Sequence, residues 1–213
     1  MLFRPLYQFP ARVQRLYRHV LWRCNVAQRA VYLTFDDGPI PEMTPKILAI
    51  LRDKQVKATF FCVGDNARKY PELLRMILED GHRVGNHTFH HLPGLKTSLS
   101  AYLRDVSDCD ALLRKAGAQM DKPLFRPPYG RMKSSQKREL LNAGYTIVLW
   151  DVLTHDYNKA YAPEKMLEVI QRYTRNGSIV VFHDSIKSSE RMLEVLPKAI
   201  DFWRQEGYEL RLL

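Results

Sequence analysis

Two adjacent carboxylates, Asp36 and Asp37, lie in the segment 34–39 of this chain. Neighbouring negative charges repel each other unless a cation or a division of labour compensates. One carboxylate could therefore bind a metal ion while the other acts as a general base. The same Asp-Asp-Gly-Pro sequence also favours an ordinary turn, so the segment alone leaves both interpretations open.

Two histidines, His87 and His91, are four residues apart in the next polar segment. Residues at this spacing share one face of a helical turn, so both imidazoles could reach one metal ion while His90 points elsewhere. With one carboxylate they make a ligand set that leaves positions free for water and substrate. Such a set suits a catalytic Zn2+ or another divalent first-row metal such as Co2+.

The segment 126–130 could stabilise a developing negative charge. Pro127 and Pro128 fix the backbone and leave few donors, so the amide N–H of Tyr129 becomes a rigidly aimed hydrogen-bond donor. Arg126 could hold a carboxylate through a bidentate pair. The alternative interpretation is a surface turn with a solvated arginine.

His183, which follows the apolar run 179–182, is a candidate general acid. Solvent is limited at such a strand end, and a nearby carboxylate would raise the pKa of the imidazole. Asp151 and Asp156 follow an earlier apolar run, and Asp184 is the next residue. The sequence leaves open whether Asp156 or Asp184 is the partner of His183.

These groups must be positioned by alternating strands and helices, which is typical of β-α units around a parallel sheet. The predicted strands are seven short runs: 30–35, 57–63, 82–85, 124–125, 145–150, 178–182 and 208–212. The predicted helices are amphipathic: 44–53, 71–80, 98–116, 134–143, 163–175 and 188–206. This alternation predicts a barrel or a doubly wound open sheet, and in both folds functional groups gather at the carboxyl ends of the strands.

The composition is that of one ordinary globular domain, with 213 residues, 46% apolar residues and a net charge of +10. No apolar stretch approaches the roughly 18 residues of a membrane span, and arginines interrupt the N-terminus, so neither a transmembrane helix nor a secretory signal is expected. Cys24, Cys62 and Cys109 are widely spaced and predict reduced thiols. We expect a monomer in the cytoplasm or at the inner face of a membrane.

Residues 1–29 carry six arginines and no acidic residue. Apolar residues recur there at helical spacing and predict a basic amphipathic helix: Val13, Leu16, Tyr17, Val20 and Leu21. We expect the apolar stripe to dock on the rest of the fold, with peripheral contact to an anionic membrane as the alternative. Nucleic acid is not expected as a partner, because no base-reading motif accompanies the arginines.

The polar segments, in their order, resemble the motifs of the polysaccharide deacetylases of carbohydrate esterase family 4, the NodB-homology domain. The matching motifs are Thr34-Phe35-Asp36-Asp37-Gly38-Pro39, His87-Thr88-x-x-His91, Arg126-Pro127-Pro128-Tyr129-Gly130 and the late His183. The resemblance covers residues 30–213, all but the basic N-terminal segment 1–29. It implies a single-domain α/β fold, a deformed (β/α)7 barrel.

The resemblance also implies a metal-dependent hydrolase that removes N-acetyl groups from N-acetylglucosamine units of peptidoglycan or a chitin-type glycan. By position, Asp37, His87 and His91 correspond to the metal ligands. The other implied roles are Asp36 as base, Arg126 as the residue that orients Asp36, the Tyr129 N–H as oxyanion donor, and His183 as acid with Asp156 as its partner. Tyr129, Tyr157 and Val181 are the implied substrate-binding residues.

The chain departs from the family's motifs at three positions. Leu153 stands where the fourth motif usually has a second acid, Tyr157 where it usually ends in Trp, and Val181 where the fifth usually has Leu. These residues shape the acetate pocket in the family, so another acyl group or sugar is an alternative, for instance a lipid-linked sugar deformylated or deacetylated at a membrane face. A non-catalytic glycan-binding module would be expected to lack the base or a metal ligand, and neither is missing.

Overall fold

The computed structural model describes residues 7–10, 12, 14, 17–119 and 121–213, and in this part of the chain nine parallel strands curl into an incomplete barrel. The strands are β1 (Val20–Leu21), β2 (Ala30–Asp36), β3 (Thr59–Cys62), β4 (Arg83–Asn86), β5 (Leu124–Phe125), β6 (Thr146–Val148), β7 (Val152–Leu153), β8 (Ile179–His183) and β9 (Glu209–Leu210). Their order across the sheet is β1-β6-β5-β4-β3-β2-β8-β7, and β9 pairs with the start of β2. The protein is therefore the single-domain, deformed (β/α) barrel that the resemblance implies.

Helices cover the outside of the sheet, and the main hydrophobic core lies between the two layers. The helices in the described residues are α1 (Thr44–Asp53), α2 (Gly64–Lys69), α3 (Pro71–Glu79), α4 (Leu99–Lys115), α5 (Ser134–Asn142), α6 (Pro163–Tyr173) and α7 (Ser189–Gln205). Each long helix buries one apolar stripe, as Ile47, Leu48 and Leu51 of α1 do. The helices thereby hold the strands in place from behind the candidate site.

Strand alternation decides which side chains reach the inside of the barrel. In β2, Val31, Leu33 and Phe35 belong to the outer core with the helices, whereas Ala30 and Tyr32 pack inside the barrel against other strands. Successive side chains of a strand point to opposite faces, so Thr34 and Asp36 also face inward. The all-buried pattern of β2 is what a parallel strand covered on both faces requires.

All seven strands and all six helices predicted from the sequence are confirmed, with ends that differ by at most two residues. The short strands β1 and β7, the short helix α2 and two 3-10 turns, Gly94–Lys96 and Pro128–Gly130, were not predicted. Val20 and Leu21 lie in a run whose apolar residues also fit a helix, and Val152 and Leu153 closely follow a predicted strand, so the pattern did not separate these short elements from their neighbours.

The predicted helical stripe of the N-terminal segment is wrong at Val20 and Leu21. These residues form β1, which pairs in parallel with Ile147 and Val148 of β6. The sheet edge at β6 offers backbone hydrogen bonds that a helix here could not use, and β-branched valine suits a strand. Val13 and Leu16 lie outside the described residues, and Tyr17 is exposed.

The described part of segment 1–29 is integrated into the barrel. β1 lies in the same sheet as the other strands, and Phe9 and Val20 pack against the interior cluster around Trp22 and Trp150. The docking expected for this segment is therefore found for these residues.

The three cysteines are free, as predicted, with Cys62 and Cys109 buried. Among the described helices, none combines the length and apolarity needed to cross a membrane.

Candidate active site and metal centre

The candidate site lies at the carboxyl-terminal edge of the sheet. Asp36 and His183 are register partners and the last residues of β2 and β8. His87 directly follows β4, and Arg126 directly follows β5. Because neighbouring parallel strands end at the same edge, side chains far apart in the sequence meet there.

Arg126 is completely buried and forms an ion pair with Asp36, with 2.6 Å between Nη1 and Oδ1. Nη1 also lies 2.8 Å from the hydroxyl of Thr34, while Nε and Nη2 donate to the backbone carbonyls of Val148 and Leu149 at 3.4 and 3.0 Å. The predicted bidentate pair is therefore wrong, because strand-end carbonyls bind the rest of the guanidinium. In the described part of the chain, Oδ2 of Asp36 accepts no hydrogen bond.

Three candidate ligand atoms converge beside this ion pair. Oδ1 of Asp37 lies 3.6 Å from Nε2 of His87 and 3.3 Å from Nε2 of His91, and all three atoms fall within 4.8 Å of one another. Burial alone would raise the pKa of Asp37, but hydrogen bonds from the two histidines and the nearby His183 charge hold it well below its usual value.

These atoms fit a divalent metal ion. Nδ1 of His87 lies 2.6 Å from the carbonyl oxygen of Arg126. A carbonyl only accepts, so Nδ1 carries a proton. Nε2 faces the Asp37 carboxylate, and it can share a proton with that carboxylate or give its lone pair to a cation bound between the two atoms. A tetrahedral ion with bonds of about 2.1 Å separates its ligand atoms by about 3.4 Å, close to the two distances from Oδ1 of Asp37.

The sequence predicted that the two histidines share one face of a helical turn, and this prediction is wrong. The segment after β4 is irregular, with Thr88 at φ 64° and His91 at φ 53°. Such angles are uncommon outside glycine, and here side-chain hydrogen bonds stabilise them. Asp37 also has a positive φ of 83°, so two of the three candidate ligands sit on strained backbone.

Buried polar residues that the sequence analysis missed hold the histidine loop. Asp105 accepts hydrogen bonds from the backbone N–H groups of Phe89 and His90 and lies 2.5 Å from Nδ1 of His90. His90 therefore points away from the ligand atoms, as predicted. Asn86 is fully buried, accepts from the Thr88 N–H at 2.8 Å and donates to α4. The polar side chain of Asn86 at the end of a predicted strand was the feature of the sequence that could have identified it.

Tyr129 lies on a tight turn above the site. It has φ 60° and ψ 12°, its side chain is exposed, and its ring meets His91 edge-on at 4.9 Å. In the described residues its N–H donates no hydrogen bond to another backbone group. The next residue, Gly130 at φ 65°, leaves no room for a Cβ because the Trp150 ring would lie 2.5 Å away.

His183 is paired with Asp156 and not with Asp184. Nδ1 and the backbone N–H of His183 each lie 2.7 Å from an oxygen of the buried Asp156. Burial alone would lower the pKa of His183, but the charge and hydrogen bond of Asp156, with Asp37 and Asp36, raise it to about 9. Because Nδ1 is engaged, Nε2 is the nitrogen that can donate a proton into the site.

Asp184 turns away from the imidazole toward α1. The Thr44 hydroxyl donates to Oδ2 at 2.5 Å, while Oδ1 is buried without a partner in the described residues. Burial raises the pKa of this carboxyl to about 7. Gly38 packs so closely against Oδ2 of Asp184 that there is no room for a Cβ. Asp184 therefore secures the loop after Asp36 and Asp37.

The remaining predicted substrate-binding residues occupy different depths. Tyr157 is 38% exposed and its ring meets His183 edge-on at 4.9 Å. Val181 is completely buried in the interior cluster with Trp150 and Leu153, beneath the site surface. Tyr157 thus forms a wall of the site, and contact between Val181 and a substrate stays a prediction.

Asp151 lies outside the site. Its buried carboxylate receives two hydrogen bonds from Arg175, at 2.9 and 2.7 Å, and one each from Ser178 and Gln8 at 2.7 and 3.0 Å. A carboxylate with four donors is fully satisfied and holds β7, β8 and the N-terminal segment together.

Comparison with known proteins relates this geometry to one family. Residues 24–148 match the family profile of polysaccharide deacetylases. A peptidoglycan-N-acetylglucosamine deacetylase of Bacillus cereus is 30% identical over 194 residues, which cover 89% of this chain and 89% of that protein. A chitooligosaccharide deacetylase of Sinorhizobium fredii is 32% identical over 174 residues, which cover 82% of this chain and 80% of that protein.

A solved structure extends the similarity to the whole fold. The Bc1960 peptidoglycan N-acetylglucosamine deacetylase, in complex with 4-naphthalen-1-yl-N-oxidanyl-benzamide, superposes with a TM-score of 0.89 at 29% sequence identity. The alignment covers 96% of this chain and 95% of that chain. The similarity therefore extends beyond residue 148 to the later strands of the barrel.

Proposed function

Since the chain belongs to the polysaccharide deacetylase family, we propose that it removes N-acetyl groups from N-acetylglucosamine units of a peptidoglycan or chitin-type glycan. The observation that carries the proposal is the arrangement at the ends of β2 and β8. A buried Arg126–Asp36 pair lies beside three convergent ligand atoms, and His183 is the register partner of Asp36.

Asp36 is the residue suited to act as general base. Arg126 fixes one of its oxygens, and the other oxygen makes no hydrogen bond to a described residue, so it can accept a proton from the attacking water. Asp37 next to it faces the two histidines instead. The two adjacent carboxylates therefore have separate tasks.

Asp37, His87 and His91 would hold a divalent metal ion, with Zn2+ or Co2+ as the candidates. When bound, such an ion supplies a Lewis acid that polarises the acetyl carbonyl and lowers the pKa of water. The second nitrogen of His87 is fixed by the Arg126 carbonyl, so one residue links the base to the ligand set.

The remaining groups suit the charges that develop during amide hydrolysis. The Tyr129 N–H stabilises negative charge on the carbonyl oxygen. Nε2 of His183 donates its proton to the leaving nitrogen as the carbon–nitrogen bond breaks, which releases acetate and a free amine. Asp156 keeps His183 oriented and protonated.

The test is acetate release from an N-acetylglucosamine oligomer by purified protein that has been stripped with a chelator and refilled with Zn2+ or Co2+. We expect release only after refilling. Release from an N-acetylglucosaminyl lipid but not from the oligomer would move the substrate to a lipid-linked sugar. Stoichiometric metal binding without release from either substrate would contradict the proposal.

A further inference from the structure

Residues 7–9, named here the N-terminal strap, cross the barrel next to β7 and lie outside the residues that match the family profile. The carbonyl of Tyr7 accepts the N–H of Leu153 at 2.9 Å. Gln8 donates to Asp151 at 3.0 Å and to the carbonyl of Tyr173 at 3.3 Å. Backbone and side-chain bonds therefore attach the strap to β7, which directly precedes the loop that carries Asp156.

Tyr7 is the start of a continuous series of ring contacts that ends at His183. Its ring meets His155 edge-on at 5.4 Å, and its hydroxyl lies 2.9 Å from that of Tyr161. Nδ1 of His155 lies 3.1 Å from the hydroxyl of Tyr157. The ring of Tyr157 in turn meets His183 at 4.9 Å.

His155 needs this support because its own backbone is unfavourable. It has φ 56°, a conformation that costs about 1 kcal/mol or more for a residue other than glycine. Tyr161 stacks on one side of the imidazole at 5.4 Å, and Tyr7 meets it edge-on. Tyr7 of the strap and Tyr161 therefore both pack against His155, whose Nδ1 lies beside the Tyr157 hydroxyl.

Phe9 connects the same strap to the opposite side of the site. Its ring lies 4.9 Å from Trp22 and 6.3 Å from Trp150. Trp150 supports Gly130, where a Cβ would lie 2.5 Å from its ring. The turn that presents the Tyr129 N–H thus rests on a tryptophan that the strap contacts.

We propose that the N-terminal strap is a positioning element of the active site, which holds Tyr157 against His183 through His155 and so sets the width of the site beside the scissile amide. The effect on the width of the site rests on the proposed deacetylase function, whereas the placement of Tyr157 against His183 does not. Tyr7 acts through His155 and Tyr157, and is a positioning residue.

The first test measures the geometry without any turnover. The protein is labelled with 13C at the histidine Cε1 atoms, and the His183 resonance is assigned by its absence in His183→Gln. The aromatic ring of Tyr157 contributes a ring-current shift to the chemical shift of this resonance. We expect Tyr7→Ala to move this resonance in the same direction as Tyr157→Leu. Tyr7→Phe, which retains the ring, should leave it in place. Tyr208→Ala, which removes a half-buried tyrosine beside β9 at the opposite end of the barrel, is the matched control.

The second test measures acyl selectivity, which a general loss of stability would not change. Tyr7→Ala should raise kcat/KM for an N-propionyl glucosamine oligomer relative to the N-acetyl oligomer by about tenfold, because one methylene in an apolar site is worth about that factor. Tyr7→Phe and Tyr208→Ala should keep the wild-type ratio.

An unchanged His183 resonance in a folded Tyr7→Ala protein would overturn the inference, even if the wild type is a deacetylase. A shifted resonance with an unchanged selectivity ratio would overturn the claim on site width. If the wild type releases no acyl group at all, the proposed function fails, and the resonance alone still decides whether the strap positions Tyr157.

Discussion

The two sides of the site are built in different ways. On the side of β2, β4 and β5, Asp36, His87 and Arg126 lie at strand ends, buried and fixed by hydrogen bonds to one another or to strand backbone. On the side of β7 and β8, His183 and Asp156 are fixed as well, but Tyr157 stands on a loop. Aromatic packing that reaches the N-terminal strap holds this second wall.

We expect this difference to separate chemistry from selectivity. The first side keeps every residue of the family's motifs, whereas the second carries the departures at Leu153, Tyr157 and Val181. A strand end is a rigid platform because its backbone is bonded on both sides, while a loop wall can change its width through a few side chains. We therefore expect substitutions on the first side to abolish the reaction and substitutions on the second to retune it.

The largest expected effect is on the rigid side, at the base. Asp36→Asn should lower kcat by about a thousandfold, because the amide cannot accept the proton of water. Metal binding should remain stoichiometric, since Asp36 is not one of the three convergent ligands. Kinetics and metal analysis on the same preparation check both outcomes, and thermal unfolding shows whether the uncompensated charge of Arg126 has destabilised the fold. Retained turnover would refute the assignment of the base.

The next effect concerns the ligand set. His87→Ala should weaken Zn2+ affinity by more than the about 10- to 100-fold that loss of an outer-shell partner costs. His90→Ala is the matched control, because His90 pairs with Asp105 while the backbone bonds of the loop remain. Competition with a chelator measures both affinities. Equal affinities for the two variants would contradict the assigned metal centre.

A smaller effect is expected at the acid, where the two sides meet. Asp156→Asn should lower kcat by about a hundredfold and move the alkaline limb of the pH profile to lower pH. Asp156 contributes most to raising the pKa of His183 to about 9, so removing its charge deprotonates the acid earlier. A limb that stays at the wild-type pH would argue against His183 as the proton donor.

The same pair should affect stability in a defined pH window. A histidine whose pKa is raised on folding stabilises the folded state fully below its unfolded pKa of about 6.5, and this contribution disappears as the pH rises through the folded value. The difference in the free energy of unfolding between wild type and Asp156→Asn should therefore be larger at pH 6 than above pH 9. Denaturant titrations at the two pH values measure it.

The smallest effect is expected on the loop wall itself. Tyr157→Trp installs the residue that the family's motif usually has, and it removes the hydroxyl that lies near Nδ1 of His155. The ratios of kcat/KM between N-formyl, N-acetyl and N-propionyl oligomers should change by about three- to tenfold, which is at or below the effect of one methylene. The kcat on the best substrate should change by a smaller factor. Tyr208→Trp at the far end of the barrel is the control. A thousandfold loss of kcat in Tyr157→Trp would contradict the assignment of different roles to the two sides of the site.

The motifs predicted much of this protein because their residues lie at strand ends. Asp36 and His183 follow apolar runs whose β-propensity and length mark them as strands, His87 and Arg126 follow shorter predicted strands, and parallel strands end at one edge. For these residues, the strand ends predicted from the local sequence pattern are the positions that the folded sheet brings together. The same agreement placed six helices and seven strands within two residues of their observed ends.

The sequence by itself determined which groups are available for the proposed reaction and that they meet at one edge of a parallel sheet. Tertiary structure alone decided how each is held: that Arg126 contacts one oxygen of Asp36, that the loop carrying His87 and His91 is not helical, and that Asp156 rather than Asp184 bonds His183. It also decided that Val20 and Leu21 join the sheet and that Tyr7 packs near the acid. Spacing along a chain specifies periodic structure, whereas loop geometry and the pairing of β1 with β6 depend on partners that are distant in the sequence.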